Sequence, residues 1–135
     1  MSNIHYPFLQ LKRFEEIAGA MLDKPNSAFL HFTFIVKGSK ILSIGWNNTW
    51  ASPLRIRNRY IIYPLGGIHS EAASIKKLFD LDDCRKATLV NIRLNNQRQL
   101  RNSKPCEVCT NLIYTLGFKK IFFSTESGFE KLEFN

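Results

Sequence analysis

Apolar positions change their period several times along the chain, and each change marks an element. Across residues 8–22 they fall at Phe8, Leu11, Phe14, Ile17, Ala18, Met21 and Leu22, the spacing of one helix face, and Lys24-Pro25-Asn26 stops the run. Residues 28–36 are instead rich in β-branched and aromatic side chains, and Lys37-Gly38-Ser39-Lys40 separates them from a second short run at 41–46. This predicts a β-hairpin whose tight turn makes its two strands antiparallel. From 47 to 67 the periodicity vanishes in a stretch holding Pro53, Pro64, Gly66 and Gly67. It reads as an ordered or semi-ordered loop, and loops of that length are usually functional.

Further on, a helix is expected over 69–79 with Ala72, Ala73, Ile75, Leu78 and Phe79 as its core stripe, and a strand over 87–94. Residues 95–104 read as a polar, basic connection. Pro105 suits the first turn of a helix carrying Val108, Leu112, Ile113 and Leu116, with Gly117 capping its end. A fourth strand at 119–124 and a fifth at 129–134 are separated by the turn 125–128. The fifth is therefore expected to return antiparallel, because a parallel return needs a crossover of about a dozen residues or more. The order α-β-β-α-β-α-β-β predicts a layered α/β fold, a single domain over residues 1–135 with a five-stranded mixed sheet flanked by helices.

Composition narrows the class. A hydrophobic fraction of 44% and an aromatic fraction of 13% suit a packed globule rather than a disordered chain. No apolar run approaches the roughly 20 residues that span a bilayer. The first residues lack a basic segment followed by an apolar stretch, so no secretory signal is expected there. The expectation is a cytoplasmic protein (in host cytoplasm if a virus encodes it) with no membrane partner. A net charge of +8 adds an attraction for polyanions without saying which one.

The cysteines point to chemistry. There are three, an odd number, and two of them stand three apart in Cys106-Glu107-Val108-Cys109, which favours metal or redox use over a disulfide framework. Cys84 is expected to be a partly buried small apolar residue. Two helix starts carry the candidates, His69-Ser70-Glu71 and Pro105-Cys106-Glu107-Val108-Cys109. Zinc takes imidazole and thiolate ligands, and a catalytic zinc keeps three protein ligands and a water. Cysteines so spaced at a helix start can face one metal, and a helix N-terminus lowers a thiol's pKa. His69, Cys106 and Cys109, with no fourth ligand at a matching spacing, suggest an open catalytic site. Other readings stay open at this point: His-x-Glu as a surface pair, Cys-x-x-Cys as a redox motif or half a zinc knuckle. The pair does not follow the first strand of a βαβ unit, as a redox motif would, and a knuckle needs a second ligand pair. His5 and His31 have no metal partners at useful spacing and read as ordinary surface or strand residues.

His-x-Glu followed by Pro-Cys-x-x-Cys resembles the signature of the cytidine deaminase superfamily. The element order matches as well, so the resemblance covers nearly the whole chain. Ser103-Lys104-Pro105-Cys106 is similar to the family's Ser-Pro-Cys approach, with Lys104 before the proline, and Ser70 stands where alanine is usual. The resemblance implies a three-layer cytidine deaminase-like fold and one catalytic Zn2+ held by His69, Cys106 and Cys109. It implies hydrolytic conversion of cytosine to uracil, with Glu71 as the catalytic proton shuttle outside the coordination sphere. It also implies substrate contacts: Asn47 (or its neighbour Asn48) on the sugar, the backbone at Ser70 against the ring, Ser103 in the approach, and the carbonyl of Lys104 on the exocyclic amine.

The form of the substrate turns on the loop entering the site, Trp46-Asn47-Asn48-Thr49-Trp50 and then Arg55-Ile56-Arg57-Asn58-Arg59-Tyr60. Arginines interleaved with aromatics suit a single strand, with Arg55, Arg57 and Arg59 on phosphates and rings such as Trp46 under bases. Residues 55–104 hold eleven Lys or Arg against four Asp or Glu, and Arg98, Arg101 and Lys104 extend the positive charge to a second wall. The plain alternative is a loop whose arginines face solvent. The first expectation is cytosine deamination in single-stranded DNA. The alternative is a free cytidine, deoxycytidine or dCMP deaminase of nucleotide salvage. A catalytically silent nucleic-acid-binding module is disfavoured by Glu71, and adenine in RNA by the antiparallel fifth strand. Monomer and homodimer are both open.

Overall fold

Gly38 turns the first hairpin with φ +62°, a conformation that costs glycine little, and so aligns β1 (Leu30–Lys37) antiparallel to β2 (Lys40–Trp46). The computed structural model describes residues 2–25, 29–48 and 69–133, with side chains of the first helix from residue 9 onward. The remaining elements are α1 (Ser2–Gly19), α2 (Ser70–Lys76), a 3-10 segment (Leu81–Arg85), β3 (Thr88–Leu94), β4 (Leu100–Arg101), α3 (Glu107–Thr115), β5 (Lys120–Thr125) and β6 (Gly128–Lys131). The sheet order is β2-β1-β3-β5-β6, with β4 pairing β3. β3 and β5 are parallel, and every other pair is antiparallel. The last strand returns antiparallel on β5, as its short turn requires.

Side-chain alternation along the strands divides the core into two. Phe32, Phe34 and Val36 of β1, with Val90, Ile92 and Leu94 of β3, pack against Leu11, Phe14 and Ala18 of α1. The Phe14 and Phe34 rings stack with centroids 5.1 Å apart. On the other face Ile35, Leu89, Ile121 and Phe123 meet Ile75 of α2, Ile113 of α3 and Cys84 of the 3-10 segment. The sheet is thus covered on both sides, in three layers. Cys84 is fully buried rather than partly so.

Several expectations are corrected. The sheet has six strands, because the connection 95–104 folds back: Asn95 Oδ1 accepts from the backbone N–H of Gln97 and Gln99, each at 2.9 Å. That turn brings Leu100 and Arg101 against Leu94 and Arg93. The first helix begins at Ser2 and ends at Gly19. α2 ends at Lys76, and Asp80 caps the 3-10 segment by accepting from Asp82 N, so Phe79 is fully exposed instead of in the core. Pro105 precedes the N-cap, Cys106, and Val108 in the first turn of α3 is exposed. Gly117 does end that helix, with φ +93°. The loop expected at 47–67 lies outside the described residues except at residues 47 and 48. Among the described residues no helix is long and apolar enough to cross a membrane.

Candidate active site

Two helix starts on the same sheet face supply the polar groups. His69 is the N-cap of α2, with extended backbone (φ −77°, ψ 155°). Cys106 is the N-cap of α3, and its Sγ accepts from Cys109 N at 3.4 Å. Small side chains let the helices approach: Ala72 and Ala73 of α2 are buried against Leu112 of α3. His69 Nδ1 consequently lies 3.3 Å from Cys109 Sγ and 3.9 Å from Cys106 Sγ. All three donor atoms fall within 4.8 Å of one another, and together they could hold a metal ion. Tetrahedral bonds of about 2.0 Å to nitrogen and 2.3 Å to sulfur separate N from S by roughly 3.5 Å and S from S by roughly 3.8 Å. The two His–Cys spacings, 3.3 and 3.9 Å, bracket the nitrogen–sulfur value.

Burial sets the protonation of these groups. It lowers His69 to a pKa of about 4, so the imidazole is neutral at pH 7 and has a lone pair to offer. It pushes the Cys109 thiol up, with the neighbouring Glu71 and Cys106 adding to the effect. The helix start therefore does not by itself make Cys109 a thiolate, contrary to the sequence expectation, and a bound cation would supply the charge that does.

Glu71, in the first turn of α2, is buried. Burial raises its pKa, against hydrogen bonds from its own backbone N–H, Asn91, Ser70 and Cys109. Its Oε2 accepts from Asn91 Nδ2 at 2.8 Å. His69, Ser70, Glu71 and Cys106 open on a cavity of about 290 Å³ that is also lined by Ser103, Lys104, Phe29, His31 and Asn47.

The candidate substrate residues are placed unequally. Asn47 lines the cavity, but both ends of its amide are engaged with β1: Oδ1 accepts from His31 N at 3.1 Å and Nδ2 donates to Phe29 O at 2.9 Å. Ser103 is buried and clamps two strands, its hydroxyl accepting from Ser124 N at 2.8 Å and donating to Asn91 O at 2.9 Å. Lys104 is exposed at the cavity's edge. Trp46 does not line the cavity, and its ring instead carries Lys77 Nζ 3.7 Å from the centroid. Arg55, Arg57 and Arg59 lie outside the described residues.

Four residues at the site were not singled out from the sequence. His31 was read as an ordinary strand residue, yet it lines the cavity, and burial, Arg93 and His69 hold its pKa at about 4. Phe29 lines the cavity with one face near Arg93, whose Cζ is 5.1 Å from the ring centroid. Thr33 and Asn91 lie beneath Glu71, both buried. Their signal was available: each is a polar residue inside an otherwise apolar run, Phe32-Thr33-Phe34 and Val90-Asn91-Ile92, where burial demands a partner.

No protein-family model matches the sequence, and no curated protein matches it. A crystal structure of the dCMP deaminase of cyanophage S-TIM5, in complex with dCMP and dUMP, superposes with a TM-score of 0.51 at 16% identity, over 83% of this chain and 78% of that chain. The chain has the cytidine deaminase fold. The apo form of the same phage enzyme gives a TM-score of 0.47 at 16% identity, over 82% of each chain. Within the cytidine deaminase fold of this chain, the three possible metal ligands and Glu71 share one end of one sheet face, and β1 and β3 supply the polar floor beneath them.

Proposed function

We propose that this chain is a zinc-dependent hydrolytic deaminase of cytosine nucleotides, with His69, Cys106 and Cys109 as ligands of one zinc ion and Glu71 as the proton carrier. The observation that carries the reading is the triangle of donor atoms, within 4.8 Å of one another, beside a buried carboxyl on one cavity. A zinc ion held there would supply a water acidic enough to be activated near pH 7. The rest falls to the chain. Glu71 would take one proton from the attacking water and deliver it to the ring nitrogen as the oxygen bonds to the amino-bearing carbon, then carry the second proton of that oxygen to the amino group as the C–N bond breaks. Water thereby replaces the amino group, which leaves as ammonia. A carboxyl raised by burial suits this task, since its proton affinity moves toward the working pH. In this reading the backbone at Ser70 and the carbonyl of Lys104 would meet the ring, and Asn47, whose amide is bonded to β1, would border the sugar.

A free nucleotide such as dCMP is the first reading of the substrate. The cavity of about 290 Å³ is at the small end of ligand sites, commonly some 300–1,000 Å³, and the phage neighbour's crystal holds dCMP and dUMP. Single-stranded DNA is the second reading, favoured by the +8 net charge and by exposed Lys104 at the cavity's edge. The test incubates zinc-loaded protein with dCMP, deoxycytidine, a cytosine-containing oligodeoxynucleotide and the matching RNA, and counts uracil products by mass spectrometry. Fast turnover of dCMP is expected. Product from the oligodeoxynucleotide alone would reverse the order of the two readings, and no product from any of the four would end both.

A further inference from the structure

We propose that Asn91 is a positioning residue for the Glu71 carboxyl, locked in one amide orientation by Thr33 and Ser70. The inference rests on the deaminase reading above and adds to it a buried circuit joining β1, β3 and α2. Asn91 Nδ2 lies 2.8 Å from Glu71 Oε2 and 3.2 Å from Ser103 O. A carbonyl oxygen can act only as an acceptor, so the nitrogen of the amide must face Ser103 and the Glu71 carboxyl. The oxygen must then face Thr33, whose Oγ1 is 2.6 Å from Asn91 Oδ1. Reversing the amide would set an oxygen against two acceptors at once.

Counting protons extends the circuit. Thr33 has a single hydroxyl proton, and Asn91 Oδ1 takes it. The contact of 2.8 Å between Thr33 Oγ1 and Ser70 Oγ is therefore made by the Ser70 proton. Ser70 Oγ also faces Glu71 Oε1 at 3.4 Å, so its single proton is shared between Thr33 and the carboxyl. Within this circuit the two carboxyl oxygens are unlike: Oε2 is met by the Asn91 amide at 2.8 Å and Oε1 by the Ser70 hydroxyl at 3.4 Å. Thr33, Ser70 and Asn91 are each at most 2% exposed, so water does not compete for these bonds. The Ser70 hydroxyl belongs to this circuit. Such a frame fixes the torsion of Glu71 before substrate arrives. Misplacing a reacting group by about 1 Å can cost roughly a hundredfold in rate.

The test compares Thr33→Val, which keeps the shape but removes the hydroxyl, with Thr33→Ser, which keeps the hydroxyl, and adds Asn91→Ala. Thr33→Val and Asn91→Ala are expected to lower kcat on the cytosine substrate about 10- to 100-fold. KM should stay within about threefold and zinc content at about one ion per chain, while Thr33→Ser recovers most of the rate. A second readout is independent of turnover. In 15N-labelled protein the Asn91 side-chain amide protons should exchange slowly with solvent, and their shifts should move in Thr33→Val and in Glu71→Ala. If Thr33→Ser and Thr33→Val behave alike, or the Asn91 amide does not respond to either change, the positioning role is wrong. Should wild-type protein turn over no cytosine substrate, the deaminase reading fails, and the amide shifts still decide whether Asn91 holds Glu71.

Discussion

Gly45 of β2 and Ser74 of α2 touch backbone to backbone: a Cβ added at Gly45 would sit 2.3 Å from Ser74 N and 2.6 Å from Ser70 O. The contact is tied down by Ser43, whose hydroxyl donates to Ser74 O at 2.9 Å. It sets the height of α2 above the sheet, and α2 carries Glu71 next to its N-cap His69. Gly45→Ala is therefore expected to destabilise the fold by about 3 kcal/mol, the upper range for overpacking, because the obstruction is main chain that cannot rotate away. For a domain of this size that lowers Tm by roughly 10 °C. A thermal melt within 2 °C of wild type, to order of magnitude of the same relation, would show that α2 can shift without cost.

Binding of zinc should release protons. The Cys109 thiol is raised by burial, so in the protein without metal it is protonated at pH 7, whereas a zinc ligand must be the thiolate. His69, lowered to about 4, is already neutral and releases nothing at that pH. Affinity should accordingly fall as pH falls, driven by the thiol, with His69 competing only near pH 4 and below. Titration of the metal-free protein with zinc in weakly buffered indicator at pH 7 should show at least about one proton released per ion. Cys109→Ser should abolish most of that release together with tight binding. A titration with no acidification would contradict the thiol assignment.

The sequence made the candidate ligand cluster visible because its logic is local: Cys106 and Cys109 share one helix start, and His69 and Glu71 share another. Strand order was partly visible for the same reason, since a tight turn at Gly38 and a short one at Glu126-Ser127 leave antiparallel pairing as the feasible outcome. What stayed hidden depends on which chains lie next to each other in space. β4 exists because Asn95 organises a turn, a side-chain device with no periodic signature. Phe79 fitted the helical stripe but lies beyond the helix end, where the stripe has no meaning. Thr33 and Asn91 are 58 residues apart and meet only through the β1–β3 register, in which Thr33 stands opposite Asn91.

Replacing Glu71 by glutamine should remove turnover and add stability. If Glu71 is the proton carrier proposed above, its loss should lower kcat about 10²- to 10⁴-fold with the metal retained. The stability effect follows from the raised pKa of the buried carboxyl. Between its unfolded and folded pKa values the folded state binds more protons than the unfolded chain, so stability falls as pH rises through that window. In metal-free protein, Glu71→Gln keeps an acceptor for Asn91 Nδ2 and removes this burden. Its Tm should exceed that of wild type at pH 7–8, and the gap should close as pH falls below about 4, where the carboxyl becomes protonated in both states. An equal gap at both pH values would mean that the carboxyl is not destabilised by burial.

The choice between nucleotide and polynucleotide is open to a salt titration, because the two differ in how many phosphates the protein neutralises. A strand lying along basic side chains displaces a counterion at each contact, giving a logarithmic salt slope of about −0.7 per phosphate, while a single nucleotide offers one phosphate. Exposed Lys104 at the cavity's edge would serve either substrate if it meets the phosphate of the reacting nucleotide. Exposed Arg98 and half-buried Arg101 do not line the cavity and can help only a ligand that extends beyond it. Lys104→Ala should therefore raise KM for dCMP, whereas Arg98→Ala should leave it within about twofold, as befits a surface change away from the site. If single-stranded DNA is the substrate, Arg98→Ala should also weaken oligodeoxynucleotide binding and flatten its salt slope by roughly 0.7, the share of one phosphate contact. A slope for the oligonucleotide no steeper than that for dCMP would leave the basic side chains outside the cavity without a part in substrate binding, and would make the mononucleotide the substrate.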